Sequence, residues 1–141
     1  MAVAFYCADV SYKLPKRTAL KKFIADTYRL ATGKRLVLTY IFCSDEYLLD
    51  LNRRHLGHDY YTDIITFDLS RIPSTTSAEI YISIDRIRDN ATKLNIDIQD
   101  EMLRVLLHGV LHLVGYHDHN KKQKELMRKM EEEWMMAYNL S

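Results

Sequence analysis

The side chains best suited to chemistry are the histidines, and their spacing is what makes them informative. The chain has six. Four of them, His108, His112, His117 and His119, fall close together. His108 and His112 lie four apart in EMLRVLLHGVLHLVG, whose apolar residues recur with helical spacing. On a helix that interval puts both imidazoles on one face, with Cβ atoms about 5–6 Å apart. Ring nitrogens so placed can each reach one ion at roughly 2.0–2.1 Å. Gly115 ends the helix and lets the chain fold back, so that a third ligand can come from residues 117–119, His117, Asp118 or His119. Three protein ligands with an open fourth position are the arrangement of a hydrolytic metal centre. A lone H-x-x-x-H pair is about as often an ordinary core or surface pair; the turn and the ligating residues after it favour a metal here. The segment is close to the H-E-x-x-H of metalloproteases, but position 109 is glycine. The carboxylate that acts as general base in peptide hydrolysis is missing from its usual place, which argues against a peptidase.

The elements that must position this group follow from periodicity and punctuation. Val3–Cys7 reads as a first strand. Pro15 sits at a helix start, and apolar residues at Leu20, Phe23, Ile24, Tyr28 and Ala31 predict a helix over 16–31, closed by Gly33. Arg35–Cys43 is β-branched and aromatic, a buried strand. Ser44 caps a helix running to about Leu56, with Asp45 and Glu46 in its first turn. Gly57, His58 and Asp59 form a loop, residues 62–67 a third strand, and residues 70–77, with Pro73, another loop. In residues 78–84, Ile80, Ile82 and Ile84 alternate with polar neighbours, as in a half-buried strand. Asp85 can cap a helix to about Leu94. Asp100 or a near neighbour starts the histidine helix. Asn120 caps a last amphipathic helix with Leu126, Met130, Trp134 and Ala137 on one stripe. The connection between the third and fourth strands is too short for a helical crossover, so that pair is antiparallel. The expected class is α+β: a single domain over 1–141, a mixed four-stranded sheet packed with about five helices, and the metal site on the histidine-bearing helix.

Composition narrows the functional classes. The chain has 141 residues, 48% hydrophobic and 28% charged, with a formal net charge of +1. That is ordinary globular protein, with neither the low hydrophobicity of a disordered chain nor the charge of a histone-like binder. Cys7 and Cys43 are too few for a disulfide scaffold and lack C-x-x-C spacing, so both are expected as buried free thiols. No signal segment or membrane-length apolar run is apparent; the expected location is the cytoplasm, with no membrane partner.

At this point the residues resemble a known family. HGVLHLVGYHDH is similar to the H-G-x-L-H-L-x-G-Y-D-H signature of YbeY-type endoribonucleases. Asn52, Gly57, Asp59, Thr62 and Asp63-Ile-Ile-Thr-Phe67 match that family's N-x-x-Y-R-G-x-D-x-P-T-D-V-L-S-F, and Glu79-Ile80 its G-D-I segment. The resemblance covers roughly residues 35–120. It implies one zinc ion, single-strand-specific hydrolysis of RNA, 3′-end maturation of small-subunit rRNA, and ribosome quality control. The implied ligands and catalytic group are His108, His112 and Asp118.

Two departures stand out. The family's third histidine falls on Asp118, a competent oxygen ligand; His119 matches only if the turn carries an insertion. The family's arginine, a natural phosphate partner, falls on Leu56, and Arg53 and Arg54 on the preceding turn are the candidate RNA-binding substitutes. The family's proline falls on Tyr61. A ribosome-assembly or RNA-binding factor with a structural metal, and a metallohydrolase of another bond, are the alternatives.

Other residues carry weaker expectations. Asp63 is a candidate partner for a histidine N–H. Glu79 is a base or an exposed strand carboxylate. Arg104 pairs with Glu101 or Asp100. Basic residues outnumber acidic ones over residues 1–60, permitting an RNA-facing surface of Lys13, Lys16, Arg17, Lys21, Lys22, Lys34 and Arg35. The charge run from Lys121 through Glu131 to Glu133 reads as a solvated helix face.

Overall fold

The backbone hydrogen bonds of the third and fourth strands set the architecture of this computed structural model, which describes residues 2–141. The elements are β1 (Val3–Cys7), α1 (Arg17–Thr32), β2 (Arg35–Cys43), α2 (Asp45–Leu56), β3 (Ile64–Asp68), β4 (Thr75–Ser83), α3 (Ile84–Leu94), α4 (Ile98–Val114) and α5 (Lys121–Leu140). They form one four-stranded sheet in the order β1-β2-β4-β3. β2 runs parallel to both β1 and β4, and β3 folds back antiparallel on β4, pairing Ile64 with Ile82 and Phe67 with Glu79. The fold is thus α+β with a mixed sheet and five helices. β3 is an outer strand.

Two apolar clusters explain the layering. Leu36, Leu38, Tyr40 and Phe42 of β2, with Ala78, Ile80 and Ile82 of β4, alternate toward one face. There they meet Leu20, Ile24 and Tyr28 of α1 and Met102, Val105, Leu106 and Val110 of α4. α2 covers the other face through Leu48 and Leu51 on Cys43 and Ile65. α4 is pinned over the sheet by polar contacts as well. Tyr40 Oη donates to the Leu106 carbonyl at 2.7 Å, and Tyr28 Oη bonds Thr76 Oγ1 at 2.6 Å and donates to the Leu113 carbonyl at 3.3 Å. No helix among the described residues is long and apolar enough to cross a membrane.

Several boundaries differ from the reading of the chain. α4 starts at Ile98, and its cap is Asp97, a near neighbour of Asp100, accepting from Gln99 N–H. Ser83, not Asp85, caps α3; the Asp85 carboxylate instead accepts from the Asp45 N–H across to α2. Ile84 therefore belongs to helix, while β4 starts earlier, at Thr75, because it pairs with β2 along its whole length. β3 begins at Ile64 rather than at residue 62. α1 begins after Lys16, which takes a left-handed conformation. α5 buries Met127, Glu131 and Trp134, a stripe shifted by one residue from Leu126 and Met130. Cys43 is buried, and burial pushes its thiol up to about 12. Cys7 is exposed, because it ends an outer strand whose burial fades along its length.

Candidate metal centre

α4 presents both histidines to one cleft and fixes each ring by its far nitrogen. His108 Nδ1 meets Glu131 Oε2 at 2.5 Å, and His112 Nδ1 meets the Tyr116 carbonyl at 2.9 Å. A carboxylate and a carbonyl only accept, so both Nδ1 atoms carry the proton and both Nε2 atoms present lone pairs. Those two Nε2 atoms stand 2.9 Å apart, and Asp118 Oδ2 is 3.4 Å from one and 3.5 Å from the other. Three acceptors therefore converge with no donor between them, an arrangement that is repulsive until a cation joins it. Two nitrogens bound tetrahedrally to one zinc would stand about 3.3 Å apart, given bonds of roughly 2.0–2.1 Å. His108, His112 and Asp118 thus fit a metal: their ligand atoms all lie within 4.8 Å of one another. Burial holds His112 below its ordinary value, which favours the neutral, ligating ring.

The turn after α4 makes this geometry possible. Gly115 has φ +128°, a conformation that side chains rarely adopt, and its N–H accompanies that of Tyr116 back onto the Leu111 carbonyl at 3.1 Å. The reversal brings the Tyr116 carbonyl under His112 and Asp118 across from both rings. Gly109 answers a different need. A Cβ there would lie 2.8 Å from Ile80 Cδ1 and 3.0 Å from Ile64 Cδ1. The glycine lets α4 descend onto the sheet, and the place of a peptidase glutamate is filled by β3 and β4.

The cleft measures about 640 Å³. Its floor holds His108, His112 and Asp118, with His119 beside them; the opposite wall is β3 together with Leu56, His58, Tyr60 and Thr62. His119 lines the cleft but stands outside the three-atom group; its backbone N–H donates to Gln123 Oε1 at 2.9 Å. His117 stacks on His119. Asp63 is in the cleft wall, where burial pushes its carboxyl above the ordinary value against the pull of Arg104 and His108. It takes a long contact from Asn90 Nδ2, 3.4 Å, rather than the histidine N–H expected of it. The Arg104 guanidinium pairs with Glu101, as its spacing predicts, and with Glu131 too. Glu79 accepts from Tyr81 Oη and does not line the cleft.

Arg53 is engaged by Asp59, and Arg54 by Asp50 at 2.7 Å; neither lines the cleft. Leu56, at the place of the family's arginine, does line it and is 44% exposed. The basic residues of α1 and its flanks stand away from the cleft. Glu131 was hidden to sequence reading inside a charged run. The signal was there: Met127, Glu131 and Trp134 are spaced four and three apart, which places a carboxylate in a buried stripe.

Comparison with known proteins adds an independent line. The family model described as Endoribonuclease YbeY matches residues 9–139. A protein of Cytophaga hutchinsonii named Endoribonuclease YbeY is 46% identical over 130 residues, 92% of this chain and 91% of that one. One of Parabacteroides distasonis with the same name is 41% identical over 134 residues, 93% of this chain and 92% of that one. The solution structure of a Thermotoga maritima protein superimposes with a TM-score of 0.68 at 25% identity, covering 96% of this chain and 88% of that one. With its histidine helix, its fold-back turn and its match from residue 9 to residue 139, the chain belongs to the endoribonuclease YbeY family.

Proposed function

We propose that residues 1–141 form one zinc-dependent endoribonuclease domain that cleaves single-stranded RNA, acting in 3′-end maturation of small-subunit rRNA and in ribosome quality control in the cytoplasm. The family carries the endoribonuclease reading. The observation that carries the metal reading is the convergence of His108 Nε2, His112 Nε2 and Asp118 Oδ2 in the floor of the cleft. Zinc bound there would supply Lewis acidity to a phosphoryl oxygen. The rest falls to the chain. His108, His112 and Asp118 would hold the ion, with the Tyr116 carbonyl orienting the His112 ring.

Preference for unpaired RNA is supported at the rim. His58 and Tyr60 stack on each other at 5.2 Å and 19°, and Tyr60 is 56% exposed. Such faces accept splayed-out bases, which a duplex does not offer. Phosphate contact belongs in this reading to Arg53 and Arg54, whose present partners, Asp59 and Asp50, are exposed and easily exchanged for a phosphate.

The test is cleavage of an end-labelled single-stranded RNA by purified protein, with chelator, with zinc restored, and with His112→Ala in parallel. Cleavage lost on chelation, regained with zinc and absent in the variant is the expected result. No cleavage above the variant's background at confirmed zinc occupancy would overturn the reading in favour of an assembly factor.

A further inference from the structure

Glu131 is one of three side chains that α5 buries, and the other two, Met127 and Trp134, are apolar. Removing a carboxylate from water is costly, so its place in that stripe needs compensation. The compensation comes from α4. Glu131 Oε1 accepts from Arg104 Nη1 at 3.1 Å, and Oε2 accepts from His108 Nδ1 at 2.5 Å. Arg104 is also clasped by Glu101, through Nε and Nη2 at 2.8 Å each, and the Glu101 carboxylate is fully buried. Two buried carboxylates thus face the Arg104 guanidinium, and the more exposed Arg128 guanidinium stands 3.8 Å from Glu131 Oε1, while Oε2 is left to His108. Glu131 does not line the cleft. It meets the imidazole on the nitrogen turned away from His112 and Asp118, so whatever it does to the reaction passes through that ring.

We propose that Glu131 is a positioning residue of the metal centre. It holds the His108 proton on Nδ1, keeps the Nε2 lone pair aimed at His112 and Asp118, and places a carboxylate charge directly behind the ring, which favours a divalent cation. The inference rests on the metal site of the function proposed above. The corresponding support of His112 is a backbone carbonyl, so Glu131 is the one of the two that substitution removes cleanly. The competing role is a plain brace between α4 and α5, and the two roles separate by experiment.

Zinc affinity, read by competition with a chromogenic chelator at neutral pH, needs no RNA. Glu131→Gln keeps an acceptor oxygen and loses the charge; it is expected to bind zinc about tenfold more weakly, and Glu131→Ala up to about a hundredfold. Met127→Ala, in the same stripe one turn earlier, is expected to lower thermal stability and leave zinc affinity unchanged. Both Glu131 variants binding zinc within about twofold of the parent would overturn the proposal and leave the brace. A parent that binds zinc while cleaving no RNA would sink the nuclease reading alone; a parent that binds none would sink the metal site and this proposal together. If neither Glu131 variant folds, the ring ¹⁵N shifts of His108 in the zinc-loaded parent decide. A proton on Nδ1 with zinc on Nε2 supports the proposal, and zinc on Nδ1 overturns it.

Discussion

On the α4 side of the cleft both histidine rings are held from behind, one by a buried carboxylate and one by the backbone of a tight turn. On the α2–β3 side the same cleft is walled by Leu56, the last residue of α2, and by His58 and Tyr60 of the loop after it, all exposed; the loop is tied to buried Asn52, whose Nδ2 donates to the Tyr60 carbonyl at 2.9 Å and whose carbonyl accepts from the His58 N–H at 3.1 Å. The difference separates two requirements. Ligand atoms must stand in place before a metal arrives, because each freely rotating ring adds an entropic cost to binding. A surface that receives bases of any sequence gains from exposed, adjustable faces.

The largest test of this contrast is Gly109→Glu, which would write H-E-x-x-H into the chain. A glutamate there is driven onto Ile64 and Ile80, so the expected cost is more than about 3 kcal/mol. The readout is the urea midpoint; a variant as stable as the parent would show that the α4 side has slack. Tyr60→Ala is next. Loss of one stacking face is expected to weaken single-stranded RNA binding by about 1–3 kcal/mol with zinc content and melting temperature unchanged, and an unchanged KM would remove Tyr60 from the binding surface.

Ser44→Ala is expected to cost about 1 kcal/mol, since Ser44 Oγ caps α2 by accepting from Tyr47 N–H and donates to Asp9 at 2.5 Å. Burial alone would raise the Asp9 carboxyl, but its hydrogen bonds from Ser44 hold it below the ordinary carboxylate value. A carboxyl depressed in the folded state stabilises above its unfolded value and loses that contribution as pH falls through the folded one. The stability gap between parent and variant is therefore full at neutral pH and narrows as pH falls below the ordinary carboxylate value toward the lower folded one; a gap that stays flat into strong acid would exclude Asp9. The smallest effect is expected of Leu56→Arg. Stability should stay within about 0.5 kcal/mol, while the salt dependence of KM for RNA steepens by about 0.7 in logarithmic slope. An unaltered slope would mean that position 56 does not meet a phosphate.

Legibility in the sequence divides along the same line. The two α4 histidines are visible because helix periodicity is local; the turn marked by Gly115 narrows the third group to residues 117–119, and the family resemblance points to Asp118 among them. β3 and β4 are read correctly as antiparallel because their connection is short. The strand order is not readable, since parallel pairing of β2 with both β1 and β4 depends on contacts far apart in the chain. Glu131 escapes for the same reason. It reaches His108 from 23 residues away, and the stripe that places it differs by one residue from the one that Leu126 and Met130 suggest. Cys7 escapes because an apolar strand says nothing about whether it lies at the edge of a sheet.

The outer position of β3 has a consequence for self-association. Asp63 and Leu69 bond to β4 through Ser83 and Ser77, so by antiparallel alternation the main-chain groups of Thr66 and Asp68 point away from the sheet. Such an open rim is a template on which a second chain can add a strand and begin an aggregate. Here it is only five residues long and ends in a carboxylate, Asp68, two features that shorten and charge the template. A rim left open beside the cleft is guarded against fibre growth by brevity and charge instead of by a covering element.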